Sequence, residues 1–288
     1  MRHAVLNLAL CVLCAAPAVA GALAVAEERP LADGQALHVR VEAGSVQVRA
    51  GEVGKVRLEA ELAPGQRVVW REAPDRLALI VDDPERFTPR PSEMSVTVPP
   101  SARLVLHLGR AALDLQGVEA VRLVVRCGAE ARIAGAFETV DVAVDGPVDL
   151  RLEEASRSVR AEGTEVDLVA RGGVDAVAVD ARRGAATLAL DQPRRVRATS
   201  VSGPITLRLG ESSGADVMLD SLSGDLRVEL SGPWPGVIVP RLGRGSFEVP
   251  DVMADKVAPK ADPAGEGGRL VLSSTSGNAR IAVRPPPP

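Results

Sequence analysis

The chain has 288 residues, of which 38 are acidic and 34 are Lys or Arg, and its formal net charge at pH 7 is −4. Because charges of both signs are interspersed and form no basic stripe, we expect neither nucleic acid nor an anionic membrane surface as a partner. Aromatic residues make up only 2% and tyrosine is absent. Val, Leu, Ile and Ala must therefore build the core, which is typical of thin, layered β-structures.

The N-terminus has the pattern of an export signal. Arg2 precedes an apolar run from Ala4 to Ala16, which leads into Ala18-Val19-Ala20, a small-x-small cleavage site. We predict a signal peptide over residues 1–20, with cleavage after Ala26 as the alternative. A buried helix or an uncleaved anchor is the competing interpretation, but the run is too short to span a bilayer comfortably. No later segment is long and apolar enough for a transmembrane span in the mature chain.

The three cysteines predict no internal disulfide. Cys11 and Cys14 leave with the predicted signal, so their C-x-x-C spacing is neither a redox nor a zinc motif here, and Cys127 remains alone. A lone thiol in an oxidising compartment is usually buried and inert, and intermolecular pairing is the alternative.

Residues 31–100 are rich in short alternating segments that predict strands. These segments are Leu37–Val41, Val46–Val48, Val56–Ala60, Arg67–Trp70 and Leu77–Val81. Their connections are longer and less regular than those further along the chain, and Asp82 to Ser92 is loop-like. We expect this region to form a strand-rich N-terminal cap, because a stack of strands otherwise exposes unpaired backbone at its end.

Residues 101–284 contain a repeat of about twenty residues that is marked by a small residue before an alternating strand. The marking residues are Gly109, Ala129, Gly146, Thr164, Gly184, Gly203, Gly224, Gly245 and Gly277, at intervals of 20, 17, 18, 20, 19, 21, 21 and 32. In most units the residues two, four and six positions later are apolar and those between are polar, which is the period of a strand with one buried face. A second short strand precedes each turn.

A unit of two short strands cannot bury its own apolar face, whereas stacked copies can. The repeat therefore predicts an all-β fold, a single-stranded parallel β-solenoid (β-helix or β-roll) with rungs of about twenty residues. In it, Ile205, Leu207 and Leu209 lie under Leu226, Val228 and Leu230. The small residues suit tight corners or positive φ. An antiparallel sandwich also has short strands and regular turns, but it does not need so constant a repeat.

The long last interval contains an insertion at about residues 250–268. It is rich in Pro, Gly and charge, so we predict a loop outside the stack, with one short helical turn around Asp251 to Lys256 as the only helix. The tail at residues 285–288 is all proline and cannot pair as a strand.

The strand and turn motifs resemble a known family. Met94-Ser-Val-Thr-Val-Pro99 is a "VxVP" strand, and Ser223-Gly-Asp-Leu-Arg-Val228 and Ser276-Gly-Asn-Ala-Arg-Ile281 match repeated "(T/S)xSGD(I/L)x(V/L)" units. Over residues 37–284 the chain is similar to the bacterial exported β-strand-repeat proteins called putative adhesins, a domain of unknown function. The rungs at Ala129 and Thr164 lack the Ser-Gly pair. The resemblance implies a β-helix or β-roll in the envelope or outside the cell, and no catalytic residues.

The sequence predicts no catalytic, cofactor-binding or metal site. His38 and His107 lie in strand-like stretches with no second His or Cys at ligand spacing, whereas a metal needs three or four converging ligands. Asp141, Asp145 and Gly146 approach a calcium-loop pattern, but two ligand positions are missing. Gly172-Gly173-Val174-Asp175 similarly lacks the second glycine pair of calcium-binding repeats.

Polysaccharide-cleaving β-helices need grouped carboxylates, and Asp149, Asp167 and Asp225 occupy outward positions that could line up. Charged outward positions are also what solubility requires, so we expect no enzyme. Trp234, in Gly-Pro-Trp-Pro-Gly, is either an exposed contact or a lid over the edge of the core.

The sequence thus favours an exported, non-enzymatic envelope protein in the periplasm, on the outer-membrane surface or outside the cell. It would act as an adhesin or partner-binding scaffold for an unknown protein or surface component. A carbohydrate-active enzyme and a structural spacer or assembly subunit are the alternatives. The residues free to carry function include Thr206, Arg208, Asp225, Arg227 and Glu229.

Overall fold

A computed structural model describes residues 22–84, 88–154, 156–210, 214–258 and 267–284. In these ranges the chain forms nineteen β-strands, which belong to one sheet, and a single short 3-10 helix. The all-β prediction is confirmed. The predicted signal peptide and the proline tail lie outside the described residues.

The strands follow one another with short connections. The first six are β1 (Leu23–Pro30), β2 (Ala36–Ala50), β3 (Lys55–Leu62), β4 (Arg67–Ala73), β5 (Arg76–Asp82) and β6 (Ser92–Val98). The next seven are β7 (Arg103–Cys127), β8 (Ala131–Val144), β9 (Val148–Leu152), β10 (Ser156–Gly163), β11 (Val166–Ala181), β12 (Ala186–Ser200) and β13 (Ile205–Leu209). The last elements are β14 (Asp216–Ser221), β15 (Leu226–Leu230), β16 (Val237–Leu242), β17 (Phe247–Glu248), helix η1 (Asp251–Lys256), β18 (Arg269–Ser274) and β19 (Ala279–Val283).

Strand pairing builds two stacks, and the long strands β2, β7, β8, β11 and β12 contribute one half to each. Stack A runs in space through β1, β3, β6, β2, β7, β8, β9, β11, β12, β13, β15, β19 and β17. Stack B runs through β4, β5, β2, β7, β8, β10, β11, β12, β14, β18 and β16.

The register of the stacks is the one that the alternating pattern predicts. Ile205 pairs with Leu226, Leu207 with Val228 and Leu209 with Leu230, and all six side chains are buried. Similar rows of Val, Leu, Ile and Ala continue through both stacks and form one core. Cys127 belongs to this core, where its thiol donates to the carbonyl oxygen of Ala111 at 2.9 Å and burial raises its pKa.

The prediction of a single-stranded solenoid is wrong. Strands β8, β9, β11 and β10 pair in that order into a closed four-strand barrel of parallel strands. Antiparallel pairs also occur, between β1 and β3, β3 and β6, and β4 and β5. The physical reason is that a period of two reports which face of a strand is buried, but neither the direction nor the identity of its neighbour.

The C-terminal end of the repeat region also pairs out of sequence order. Strand β18 lies between β14 and β16, and β19 lies between β15 and β17. The turn at Gly277 therefore stacks directly on Gly224, and the turn at Gly245 stacks on Gly277 rather than on Gly224. The position of β18 between β14 and β16 buries Leu270, Val271 and Leu272.

The insertion at residues 250–268 supplies a lid for this end of the core. Residues 251–256 form η1, at the position of the predicted helical turn, and Met253 is fully buried. The Sδ atom of Met253 accepts a hydrogen bond from the backbone N–H of Trp234 at 3.2 Å, and the Trp234 side chain is buried. Trp234 thus covers the core, and this part of the insertion packs against the stack instead of lying outside it.

Glycine is required at the corners because backbone packs on backbone there. A Cβ added to Gly203 would lie 1.8 Å from the carbonyl oxygen of Gly184, and one added to Gly224 would lie 1.9 Å from that of Gly203. Neither glycine has a positive φ. The close approach of neighbouring turns, and not a left-handed conformation, therefore explains the repeated glycine.

Replacing Gly203 by Ala should destabilise the fold by about 2 kcal/mol or more, because a Cβ that meets backbone atoms cannot be relieved by a side-chain movement. The midpoint and slope of urea unfolding measure this change. Gly232→Ala is the matched control, because an added Cβ there meets nothing within 4 Å. Equal stability of the two variants would contradict the stacking argument.

The two serines of each Ser-x-Ser-Gly turn have different roles. The Ser221 hydroxyl is buried and accepts a hydrogen bond from the Gly224 N–H at 2.8 Å, whereas Ser223 is exposed and donates to the Val201 carbonyl at 3.2 Å. Ser200 and Ser274 repeat the buried arrangement with Gly203 and Gly277.

Ser221→Ala should therefore cost about 1–3 kcal/mol, because it leaves a buried N–H without its acceptor. Ser223→Ala, two residues away in the same turn, should change the free energy of unfolding by less than about 0.5 kcal/mol. Chemical denaturation of both variants measures the difference. A loss at Ser223 that matched the loss at Ser221 would show that burial of the hydroxyl is not the cause.

Candidate functional site

Two histidines that are far apart in sequence lie together on the outer face of stack B. Arg40 of β2 pairs in register with His107 of β7, and His38 pairs with Val105, so His38 and His107 are diagonal neighbours. The expectation that each histidine stands alone in its strand came from their sequence spacing, and the register of β2 and β7 brings them together. Among the described residues, no three His, Cys, Asp or Glu side chains are grouped to hold a metal ion.

A hollow lies beside these histidines and is here called the arginine hollow. Its volume is about 210 Å³, and its lining residues are His38, Val39, Arg40, Arg71, Arg76, Ala78, Ile80 and His107. Ala78 stands in register with Arg71 on one side and His38 on the other. The short alanine side chain between two long polar neighbours creates the depression, and Ala78 and Ile80 give it an aliphatic floor.

A second depression, here called the corner groove, continues along the same face. It has a volume of about 590 Å³ and shares Arg40 and His107 with the arginine hollow. Gly109, Gly128 and Ala143 form part of its lining, and Arg126, Asp145 and Arg182 border it. A Cβ on Gly128 would lie 1.8 Å from the Gly109 carbonyl oxygen. The backbones of the two turns pack directly on each other, and because no side chain projects from either glycine, the surface is recessed there.

The charges of the two depressions differ. In the corner groove each arginine has an acidic partner: Arg40 lies 2.8 Å from Glu42, Arg126 lies 2.9 Å from Asp141, and Arg182 lies 2.7 Å from Glu162. In the arginine hollow, Arg71 and Arg76 have no ion-pair partner within the part of the chain that the structure describes. The hollow therefore presents two guanidinium groups that are engaged in no ion pair among the described residues, while Glu42, Asp82 and Asp83 line the adjoining depression beside Arg71.

The carboxylates that the sequence suggested as a catalytic group are only partly brought together. Asp149 and Asp167 are register neighbours, but Arg151 binds both, at 3.1 and 2.6 Å. The hydrogen bond that Arg151 donates to the carboxylate of Asp167 is the largest influence that raises the pKa of Arg151. Asp225 lies apart, at a corner, where its Oδ1 accepts the Asn278 N–H at 2.7 Å. Carboxylates held by a guanidinium in this way are built as structural ion pairs.

Other outward residues of stack A are engaged in the same way. Glu229 is almost fully buried, because Arg208, Arg227 and Arg284 surround its carboxylate. Of the residues that the sequence left free for function, three are therefore engaged in ion pairs with one another on the surface of the stack: Arg208, Arg227 and Glu229. Asp141 and Asp145 of the calcium-like pattern are bound to Arg126 and Arg182.

Sequence reasoning missed Arg71 and Arg76 as functional candidates. Both look like ordinary polar positions of alternating strands, next to Glu72 and Asp75 in the sequence. Their lack of an ion-pair partner among the described residues depends on the pairing of β4 with β5 and of β5 with β2, which the sequence does not signal.

Several solved bacterial structures resemble the chain over most of its length. A putative adhesin from Bacteroides fragilis NCTC 9343 has a TM-score of 0.42 and 10% identity, with 90% of this chain and 97% of that chain covered. A putative adhesin from Parabacteroides merdae ATCC 43184 has a TM-score of 0.40 and 11% identity, with coverages of 90% and 96%. A putative cell adhesion protein from Clostridium sporogenes ATCC 15579 has a TM-score of 0.28 and 9% identity, with coverages of 91% and 100%.

These structures carry the class of name that the sequence motifs indicated, bacterial adhesins. No protein-family model and no curated protein matches the chain. At identities of 9–11% and TM-scores of 0.28–0.42, the function of this chain has to be argued from its own residues. In the part of the chain that the structure describes, none of the helical segments has the length and apolarity needed to cross a bilayer.

The pKa of His38 is lowered, first by burial, then by Arg76 and His107, while Asp75 opposes the change. A histidine with a lowered pKa binds fewer protons in the folded chain than in the unfolded chain. The stability that it contributes is present above the unfolded pKa and is lost as the pH falls through the folded one. We expect the free energy of unfolding to decrease from about pH 7.5 to pH 5.5, and His38→Gln to flatten this slope.

Urea unfolding at a series of pH values measures both slopes. Asp and Glu side chains of ordinary pKa scarcely titrate in this range, so the difference between the two proteins isolates the imidazole. Identical slopes for the original chain and the variant would contradict the burial of His38 beside Arg76.

Proposed function

We propose that the chain is an exported, non-enzymatic protein of the bacterial envelope that acts as an adhesin or partner-binding scaffold, with the arginine hollow as its contact site. The observation that carries this proposal is that Arg71 and Arg76, which line the hollow beside His38 and His107, are engaged in no ion pair among the described residues. Elsewhere on the face, arginines such as Arg126 and Arg182 are matched by carboxylates.

The scaffold suits a binding role. The hollow is built on strands β4, β5, β2 and β7, whose inward residues belong to the common core, so its outward side chains project from a rigid support. Binding sites on strands are held more firmly than those on loops. The carboxylates Asp149, Asp167 and Glu229, which an enzyme of the carbohydrate-cleaving kind would need to present, are bound to arginines.

Export is the second part of the proposal and has its own test. Its support is the charged start, apolar run and small-x-small site of residues 1–20. Cleavage after Ala20 leaves β1 whole, whereas cleavage after Ala26 divides this strand, whose eight residues all pair with β3. We therefore expect the exported chain to begin at Gly21.

A C-terminally tagged chain, expressed in a bacterium and separated into cytoplasmic and exported fractions, tests this. N-terminal sequencing of the exported form should give Gly21, and deletion of residues 2–20 should keep the chain in the cytoplasm. Equal export of the deletion variant would overturn the export proposal.

Binding is tested by retention of the purified processed chain on isolated bacterial envelopes. Replacement of both Arg71 and Arg76 by Ser should reduce retention at least about tenfold, as expected for loss of central charged contacts. The matched control replaces the exposed Arg195 and Arg244 by Ser, which changes the net charge equally at a distance from the hollow. Equal losses for the two double variants would show a general charge effect and would refute the assignment to this site.

A further inference from the structure

We infer that the arginine hollow and the corner groove together bind an acidic polysaccharide, with the carboxylate of one sugar residue held in the hollow by Arg71 and Arg76. This inference deepens the proposed function, because it names the chemical class of partner for the same site. Four features of the site carry it: charge, floor, size and continuity.

The positive charge of the arginine hollow requires an anionic ligand. Arg71 and Arg76 have no ion-pair partner among the described residues, and the adjacent His38 and His107 add two imidazole N–H donors. A guanidinium presents paired N–H groups in a plane, which matches the two oxygens of a carboxylate. An anion that enters the hollow therefore gains direct hydrogen bonds at guanidinium groups that have no ion-pair partner among the described residues.

The floor and the size restrict the anion to a small, partly apolar group. Ala78 and Ile80 offer an aliphatic surface between the cationic side chains, and the volume is about 210 Å³. The C–H face of a sugar ring packs on such a surface while its carboxylate reaches the rim. The hollow has no Trp, Tyr or Phe in its lining, and its aromatic rings are the two imidazoles.

Continuity with the corner groove indicates a polymer. The two depressions share Arg40 and His107, and together they cross the face of stack B from β4 to Arg182, at the end of β11. Neighbouring strands lie about 4.8 Å apart, so the path from β4 to β11, which crosses six strand spacings, is roughly 30 Å long. Along it, the ion-paired Arg126 and Arg182 and the exposed backbone of Gly109 and Gly128 offer polar contacts to further sugar residues.

Overall charge separates this partner from a nucleic acid. The whole chain has a net charge of −4, and the positive hollow is a local feature that continues into a groove lined by Glu42 and Asp145 as well as by arginines. A polymer whose charges are spaced apart by uncharged atoms fits a positive hollow followed by a charge-balanced groove. A densely charged phosphodiester chain requires a continuous basic surface instead.

The experiment measures binding of the purified processed chain to polygalacturonate by isothermal titration calorimetry at moderate salt. We expect saturable binding that is lost on complete methyl esterification of the polymer, because esterification removes the carboxylate charge and keeps the sugar. Replacement of Arg71 and Arg76 by Ser should weaken binding at least about tenfold, whereas the Arg195 and Arg244 double variant should bind as the original chain does. Circular dichroism and thermal unfolding verify that both variants are folded.

Further probes separate the sources of negative charge. Dextran sulfate, single-stranded DNA and vesicles containing phosphatidylglycerol should bind more weakly than polygalacturonate, and neutral dextran should not bind. Tighter binding of DNA, of the vesicles or of dextran sulfate would overturn the carboxylated-sugar assignment. So would equal binding of the esterified polymer or of the Arg71 and Arg76 variant.

The failure of this inference is distinguishable from failure of the proposed function. If the Arg71 and Arg76 variant loses retention on envelopes but the original chain does not bind polygalacturonate, the hollow is a binding site and the ligand class is wrong. If neither measurement responds to the two substitutions, both proposals fall. Incubation with polygalacturonate should leave the chain length of the polymer unchanged, and shortening of the polymer would contradict the non-enzymatic role.

Discussion

Direct packing of backbone on backbone at the corners is the constraint on which the rest of the structure depends. Gly184, Gly203, Gly224 and Gly277 follow one another in a column in which no Cβ fits. Because each turn is seated on the one before it, the strands that leave the turns are held in register, residue on equivalent residue. Buried Ser221 and its equivalents secure the same corners by accepting the glycine N–H.

This register also decides the chemistry of the surface. Outward side chains on neighbouring strands face one another at the spacing of the sheet, so residues far apart in sequence form ion pairs such as Arg151 with Asp167 and Arg49 with Asp114. Many of the outward charged side chains are thereby engaged in ion pairs between neighbouring strands. The arginine hollow stands out because the same register places Ala78, Ile80 and two histidines beside Arg71 and Arg76. Over the described ranges of the chain, it brings no carboxylate to ion-pair distance of either arginine.

The ends of the stacks are managed differently from the middle. At the N-terminal end the direction of pairing changes to antiparallel in β1, β3 and β4. At the C-terminal end β18 and β19 insert before the last level, and Trp234 with Met253 covers the core. Both arrangements protect apolar rows and strand edges that a simple repetition of the unit would leave open, which is the general hazard of an exposed sheet edge.

Local patterns within the sequence determined the all-β class, the inward rows such as Ile205, Leu207 and Leu209, the short turn of helix at Asp251–Lys256 and the burial of Cys127. These properties follow from alternation, turn chemistry and composition, which act between residues close in the chain. Only the tertiary structure decided that β8, β9, β11 and β10 close into a barrel, that β18 enters between β14 and β16, and that His38 meets His107. Those outcomes depend on which strand pairs with which. Backbone hydrogen bonds form in the same way whatever the side chains are, so the alternation of apolar and polar residues does not identify the partner of a strand.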